Sequence, residues 1–354
     1  MLRVGIRHIC ITMAACLFGA GFVSGQELWQ FFGSFGIKGL ICMAFSGLLL
    51  AVLTFMTIHL ASLNNISEMD RLVIPFDSKL LVNITGAIEL SFMFFIYVIM
   101  TAGAGTLIEN MTGSTVLRVV FSIVFCAAVT IISLKGIGGA IKVFNLVVPI
   151  MVIVAIIVAI GITARNELPQ MYHQPHSVEN PLVVNPVISM LTFVSYNFFC
   201  AIGTFAEVGK HATSKGRIAI GSLLGGVLLT AVAFLIVFAI LAVPGSENAE
   251  LPLLSLAGSL HVSVKIIVAI TLLIAMFGAS LSVFVPIPAY MDKCKFYRKH
   301  SPLYTVLLSV AAMLLSLFGF SDLISIIYPI YGYLAFAAII GLTANYIKTV
   351  KTKQ

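Results

Sequence analysis

Gly19-Ala-Gly-Phe-Val-Ser-Gly-Gln-Glu27 interrupts the first long apolar stretch of the chain near its middle. Each glycine weakens a helix by about 1 kcal/mol relative to alanine. Three of them, with a serine and two larger polar residues, predict that a membrane-length helix loses its regular hydrogen bonding here. Unwound backbone inside a bilayer must be covered by protein or line a cavity, where its carbonyls can hold a cation and its amides can face an anion. Close packing through small residues is the competing reading of the same glycines.

The surrounding composition places this break in lipid. Of 354 residues 60% are hydrophobic and only 9% charged, with mean hydropathy +1.12. A soluble domain carries about a quarter charged residues, so most soluble enzyme folds are excluded. A helix needs about 20 apolar residues to cross roughly 30 Å of hydrocarbon. Ten runs meet that length: 5 to 32, 37 to 62, 78 to 106, 115 to 134, 140 to 163, 184 to 209, 217 to 243, 256 to 291, 303 to 320 and 322 to 346. The first run continues past Cys16 through Gly25, as a membrane helix does and an excised signal peptide need not.

The net charge of +7 is scattered in short clusters between apolar runs, without the aromatic interleaving of a nucleic-acid surface. No nucleic-acid partner is expected; the partners are the lipid bilayer and a small-molecule substrate, and the chain is a monomer or homodimer. If the N-terminus is inside, alternate loops hold sixteen of the Lys and Arg residues, from Arg3 and Arg7 to Lys351 and Lys353. The outer loops then hold only Lys38, Arg118, Arg165 and Lys265. That asymmetry predicts a multi-pass protein of the bacterial cytoplasmic (inner) membrane with both termini in the cytoplasm. The long connection from Ala164 to Pro181 divides one transmembrane domain, 1-354, into five-helix sets at 1-163 and 184-346. An odd number of helices per set makes the second start on the opposite side, so the repeats are inverted.

Candidate site residues follow from depth. Gly19, Gly21 and Ser24 lie in the break. Tyr196 and Asn197, with Ser195, lie at the same depth in the sixth run, which favours a shared cavity over hydrogen bonding to a neighbouring helix. Glu89 is about ten residues, or some 15 Å, into the third run. An ionised carboxylate there costs on the order of 2.5 to 3.5 kcal/mol, so a functional carboxylate is expected to be protonated, paired, or facing water and a cation. Tyr97 lies two turns further on and is expected to share its cavity. Glu27 and Glu207 are placed towards opposite ends of their helices, as gate candidates. Ser280 and Ser282 in the eighth run point about 200° apart, so at most one can reach an ion. The cysteines show no metal spacing and no disulfide is expected, and the outer-loop pair His173 and His176 is too weak a pattern for a metal site. No ATP-binding loop, zinc motif or nucleophile triad is present, which argues against an enzyme.

From Gly19 through Glu27 to Leu-Trp-Gln-Phe-Phe-Gly33, the sequence resembles the YkvI-like bacterial membrane proteins, relatives of the amino acid-polyamine-organocation (APC) superfamily. The entry to the fifth run, Lys135-Gly-Ile-Gly-Gly-Ala-Ile-Lys-Val-Phe-Asn-Leu-Val-Val-Pro149, resembles sodium-coupled members. The resemblance covers nearly the whole chain and implies an all-α LeuT-like fold, with ten helices in two inverted repeats and helices one and six broken around substrate. It implies a sodium ion held by the carbonyls of Ala20 and Val23 and the hydroxyl of Ser280, with no other cofactor. Because Leu281 follows Ser280 where a second hydroxyl is usual, a proton carried by Glu89 is the alternative coupling ion. The expected function is sodium- or proton-coupled symport or exchange of a small polar organic solute, an amino acid or amine. A nutrient receptor that binds without transporting is the alternative.

Overall fold

The computed structural model describes residues 5–64, 72–74, 78–135, 139–166, 180–212, 214–291 and 300–353, and of 139–148 and 289–291 only the backbone. The side chains of Lys142 and Asn145, together with His173, His176, Cys294 and the basic residues at 3, 71, 293, 295, 298 and 299, lie outside this description.

Helices make up nearly all of it. In chain order they are α1 (Ile6–Leu17), α2 (Ala20–Ser24), α3 (Gln26–Phe31), α4 (Gly36–Asn64), α5 (Lys79–Thr112), α6 (Thr115–Leu134), α7 (Gly139–Thr163), α8 (Pro186–His211), α9 (Lys215–Ala242), α10 (Pro252–Leu260), α11 (Val262–Phe284), α12 (Pro286–Met291), α13 (Ser301–Ser316) and α14 (Phe320–Lys353). Every run expected from the sequence carries helix. Among the described residues, seven spans are long and apolar enough to cross a membrane, while Ile6–Leu17, Pro149–Thr163 and Ser301–Ser316 are shorter apolar pieces. That count covers the described residues only, and the backbone of α7 runs 25 residues from Gly139 to Thr163. One of the seven spans joins α3 to α4, but a Cβ on Gly39 would collide with the Phe32 carbonyl oxygen. Seven residues of straight helix would hold those positions about 10 Å apart, so the chain turns back here, at Gly36 with φ 57°. α3 and α4 are separate legs.

Local chemistry sets the other ends. Asn185 accepts from the Val187 and Ile188 amides at 3.0 and 2.9 Å and Pro186 opens α8, a side-chain cap followed by the residue best suited to a first helical turn. Gly113 closes α5 in the left-handed conformation. The eighth run, expected as one helix, is three. His261 is extended and caps Ser263 with its ring nitrogen, and Pro286, which cannot donate a backbone hydrogen bond, starts α12.

The two halves interleave. α4 packs on α8 and α9, α14 on α8, α1 on α9, and α11 on both α5 and α7. Glycines allow the closest approach: a Cβ on Gly226 would clash with the Gly47 carbonyl oxygen and come within 3.0 Å of the Ala51 Cβ. On the outside of α4, Ile41, Phe45, Leu48 and Val52 form an exposed apolar stripe, the face that lipid solvates. The chain is a multi-pass membrane protein.

Candidate functional site

The predicted break in the first helix is present. α1 ends at Leu17, Gly19 is extended (φ −76°, ψ 169°), and after the single turn of α2 the chain passes through Gly25 in the left-handed conformation (φ 86°) before α3 begins. Ser24 stitches this segment: its hydroxyl donates to the Gly21 carbonyl at 2.8 Å and accepts from the Gln26 amide at 3.3 Å.

The predicted break in the sixth helix is absent. α8 is continuous from Pro186 to His211, because its polar residues hydrogen-bond to the helix itself. Ser195 donates to the Leu191 carbonyl at 2.7 Å and Asn197 to the Phe193 carbonyl at 3.1 Å. Such back-bonding satisfies a midplane hydroxyl or amide without opening the backbone, and the stretch from Pro186 to Ala201 contains no glycine to favour unwinding.

What joins the two helices is Glu27. Its position along the first run suggested the outer end. The structure instead buries it (4% exposed) against α8, where Oε1 accepts from the Tyr196 hydroxyl and from Asn197 Nδ2 at 3.4 Å. The reversal at Gly25 re-aims α3 so that Glu27 points into the bundle. Oε2 turns towards the backbone break: a Cβ on Gly21 would sit 2.8 Å from it and 3.6 Å from the Tyr328 hydroxyl. Tyr196 and Tyr328 stack with centroids 4.6 Å apart, and Phe92 meets both edge-on at 6.4 Å. Four predicted residues, Gly21, Tyr196, Asn197 and Glu27, thus converge on one buried point, with Ser24 bracing the segment beside it.

Tyr328 and Phe92 were missed. The signal for Tyr328 was its neighbour Pro329, which interrupts α14 and removes the amide that would bond the Ser325 carbonyl. Asn180 Nδ2 supplies that bond at 2.9 Å instead.

Below this point α8 shows a polar exposed face. Cys200, Gly203, Thr204, Glu207, Lys210 and His211 are exposed at successive three- and four-residue steps, whereas nearly every residue from Thr192 to Phe199 is buried. A lipid-facing stripe would be apolar, so we read this face as lining a vestibule open to water. Cys200 lies within electrostatic reach of Glu27, Glu89 and Cys16. Gly19 and Gly203 both face open space. Glu89, half-buried on α5 one turn before Phe92, is therefore near the vestibule. Glu207 pairs with Lys210 on the exposed helix face at 3.0 Å; an exposed i,i+3 pair of this kind contributes little to stability.

Tyr97 does not join them. Eight residues along a helix turn it about 80° from Glu89. Its ring stacks on Phe284 at 4.3 Å and its hydroxyl meets Ser309 Oγ at 3.0 Å, in a separate cluster with Thr130. Ser280 and Ser282 both donate to their own helix, at 2.8 and 2.9 Å. Ser280 is buried on α11, which packs against α2, the helix containing Ala20 and Val23. The terminal carbonyls of so short a helix have no partner within it, and hydroxyl and carbonyl oxygens suit a hard monovalent cation.

The vestibule makes a direct prediction. In membranes, a charged, water-soluble maleimide should label Cys200 roughly tenfold or more faster than the buried Cys42 and Cys126, read by mass spectrometry of proteolytic peptides. Equal rates would place Cys200 in lipid.

Comparison with proteins of known structure reaches the same architecture. The chain superposes on Mhp1, a nucleobase-cation-symport-1 family transporter solved in a closed conformation with bromovinylhydantoin bound. The TM-score is 0.59 with 16% identity over 88% of this chain and 71% of that one. The fold is LeuT-like. Among curated sequences it is similar to the uncharacterized protein YyaD of Bacillus subtilis, 23% identical over 94% of each chain. It is also 24% identical to the uncharacterized membrane protein YkvI of that organism, over 94% of this chain and 93% of the relative. No family model matches. The YkvI resemblance, first visible around Gly19 to Gly33, thus extends along the chain from end to end.

Proposed function

We propose that this protein is a secondary active transporter of a small polar organic solute, an amino acid or amine, driven by a sodium or proton gradient. The observation that carries the reading is the meeting of Glu27, at the broken first helix, with Tyr196 and Asn197 of α8, directly above a polar vestibule. A buried carboxylate whose hydrogen-bond partners among the described residues are two neutral donors needs a positive charge to complete it. A proton, an alkali ion or a substrate ammonium can each supply that charge, which ties occupancy of the site to a cation. The fold shared with Mhp1, a transporter, supports the same class.

In this reading the substrate sits between the Gly19–Gly21 backbone and the Tyr196–Tyr328 pair, and Glu89 attracts cations along the vestibule. Ala20, Val23 and Ser280 would hold sodium where sodium is the coupling ion. With both termini in the cytoplasm, the vestibule opens to the cytoplasm, and the two five-helix repeats rock about the site. No covalent step is required.

Purified protein in liposomes tests this. Accumulation of a radiolabelled amino acid or amine should require an imposed sodium or pH gradient, and Glu89→Gln should abolish that dependence; unchanged gradient-driven uptake in the variant would remove Glu89 from the mechanism. Saturable binding with no flux under any gradient would assign the chain to the receptor class instead.

A further inference from the structure

On α3, on either side of Glu27 in sequence, Gln26 and Gln30 close on the first turn of α14. Gln26 Nε2 donates to Ser321 Oγ at 2.6 Å. Gln30 Nε2 donates to the same hydroxyl at 2.9 Å and to the Ser321 backbone carbonyl at 3.0 Å. A backbone carbonyl only accepts, so the Gln30 amide must present its nitrogen to Ser321 and turn its oxygen away. Both Gln26 Oε1 and Gln30 Oε1 are buried with no hydrogen-bond partner among the described residues, on side chains of residues 4% and 9% exposed. An unpaired buried acceptor is costly to keep, and native structures seldom retain two side by side without an ion, a ligand or an ordered water that uses them.

The two oxygens are four residues apart, on one face of a helix. Gln30 is also one turn from Glu27. The next groups at this end are carboxylates: Glu250 accepts from the Phe320 amide and from Thr106, both at 3.0 Å. Glu250 and Asp322 approach Gly319, together with the Arg118 guanidinium, which Glu109 neutralises at 2.9 Å. Gln30 Oε1 adds an acceptor to this region, as does Gln26 Oε1 when the Gln26 nitrogen faces the Ser321 hydroxyl, and acceptors beside carboxylates select for positive charge.

We propose that Gln26 and Gln30 form a second site for a small monovalent cation, either a bare alkali ion or the ammonium head of an organic solute. It lies beside Glu27 on α3, with Gln26 directly before that carboxylate and Gln30 one helical turn after it. The site rests on the transporter reading for its place in a cycle, but not for its chemistry. A cation would pass from two neutral amide oxygens to the carboxylate, losing its water in two steps.

The test is a thermal-stability titration of the full-length protein in detergent, with N-methylglucamine chloride holding ionic strength. The probes are sodium, potassium and methylammonium chlorides. Wild type should be stabilised saturably by at least one of them, an alkali response identifying a coupling ion and a methylammonium response a substrate head group. Gln30→Leu, which keeps the side-chain volume and deletes the acceptor, should raise the half-saturating concentration about tenfold. Gln30→Glu should lower it. Glu27→Gln should leave a measurable part of the response, since two sites contribute. Half-saturation unchanged in both Gln30 variants would overturn the proposal, as would a response abolished by Glu27→Gln alone, because a water would then satisfy the amides. No response in wild type would also overturn it, while solute uptake by the same preparation in liposomes would leave the transport reading standing.

Discussion

Glu27→Gln is expected to lower gradient-driven uptake about a hundredfold while leaving the protein folded. The change is isosteric, and the glutamine oxygen can still accept from Tyr196 and Asn197, so the link between α3 and α8 survives. What disappears is the negative charge that a proton, alkali ion or ammonium must balance. Losing one partner of a buried charge pair costs about 3 to 5 kcal/mol, two or more powers of ten in an equilibrium. Uptake into proteoliposomes with and without an imposed gradient, alongside a melting curve to show that folding is intact, measures both halves of the claim. Accumulation by the variant that still follows the gradient would sink the role given to Glu27.

The second large effect concerns folding. Gly226→Leu should prevent recovery of a monodisperse protein or lower its stability by about 3 kcal/mol or more, since a side chain there meets the Gly47 carbonyl and Ala51 on α4. Backbone cannot move aside as a flexible side chain can. Small residues at this crossing let two membrane helices approach closely where no hydrophobic force drives them together. Gly216→Leu is the matched control: it lies near the start of the same helix, a Cβ there meets nothing within 4 Å, and its melting temperature should stay near that of wild type. Equal melting temperatures for the two variants would show that the α4–α9 contact does not depend on its glycines.

Both predictions turn on residues that were visible in the sequence but whose geometry was not. Glu27 was singled out, yet depth was counted along a straight helix and so put it towards one end. The left-handed turn at Gly25 cannot be reduced to depth, and it is this turn that carries Glu27 to Tyr196. The resemblance implied a second break around Asn197, which is polar at the midplane. A side chain that bonds to its own helix meets the same need without one, and only coordinates distinguish the two. Tyr97 failed for a simpler reason: eight residues do not close on whole turns of helix.

The amino-acid sequence by itself determined the solvent, the helical class, the places where apolar runs occur and the loss of helix around Gly19. All four follow from local causes, namely hydrophobicity summed over a span and glycine's weak helix propensity. The tertiary structure decided which polar groups meet. Tyr328, Phe92 and Ser321 lie hundreds of residues or several helices from Glu27, Gln26 and Gln30, and their proximity depends on how helices from the two halves rotate and cross. That rotation is fixed by the sum of many small packing contacts, none of which is written in any one stretch of the chain.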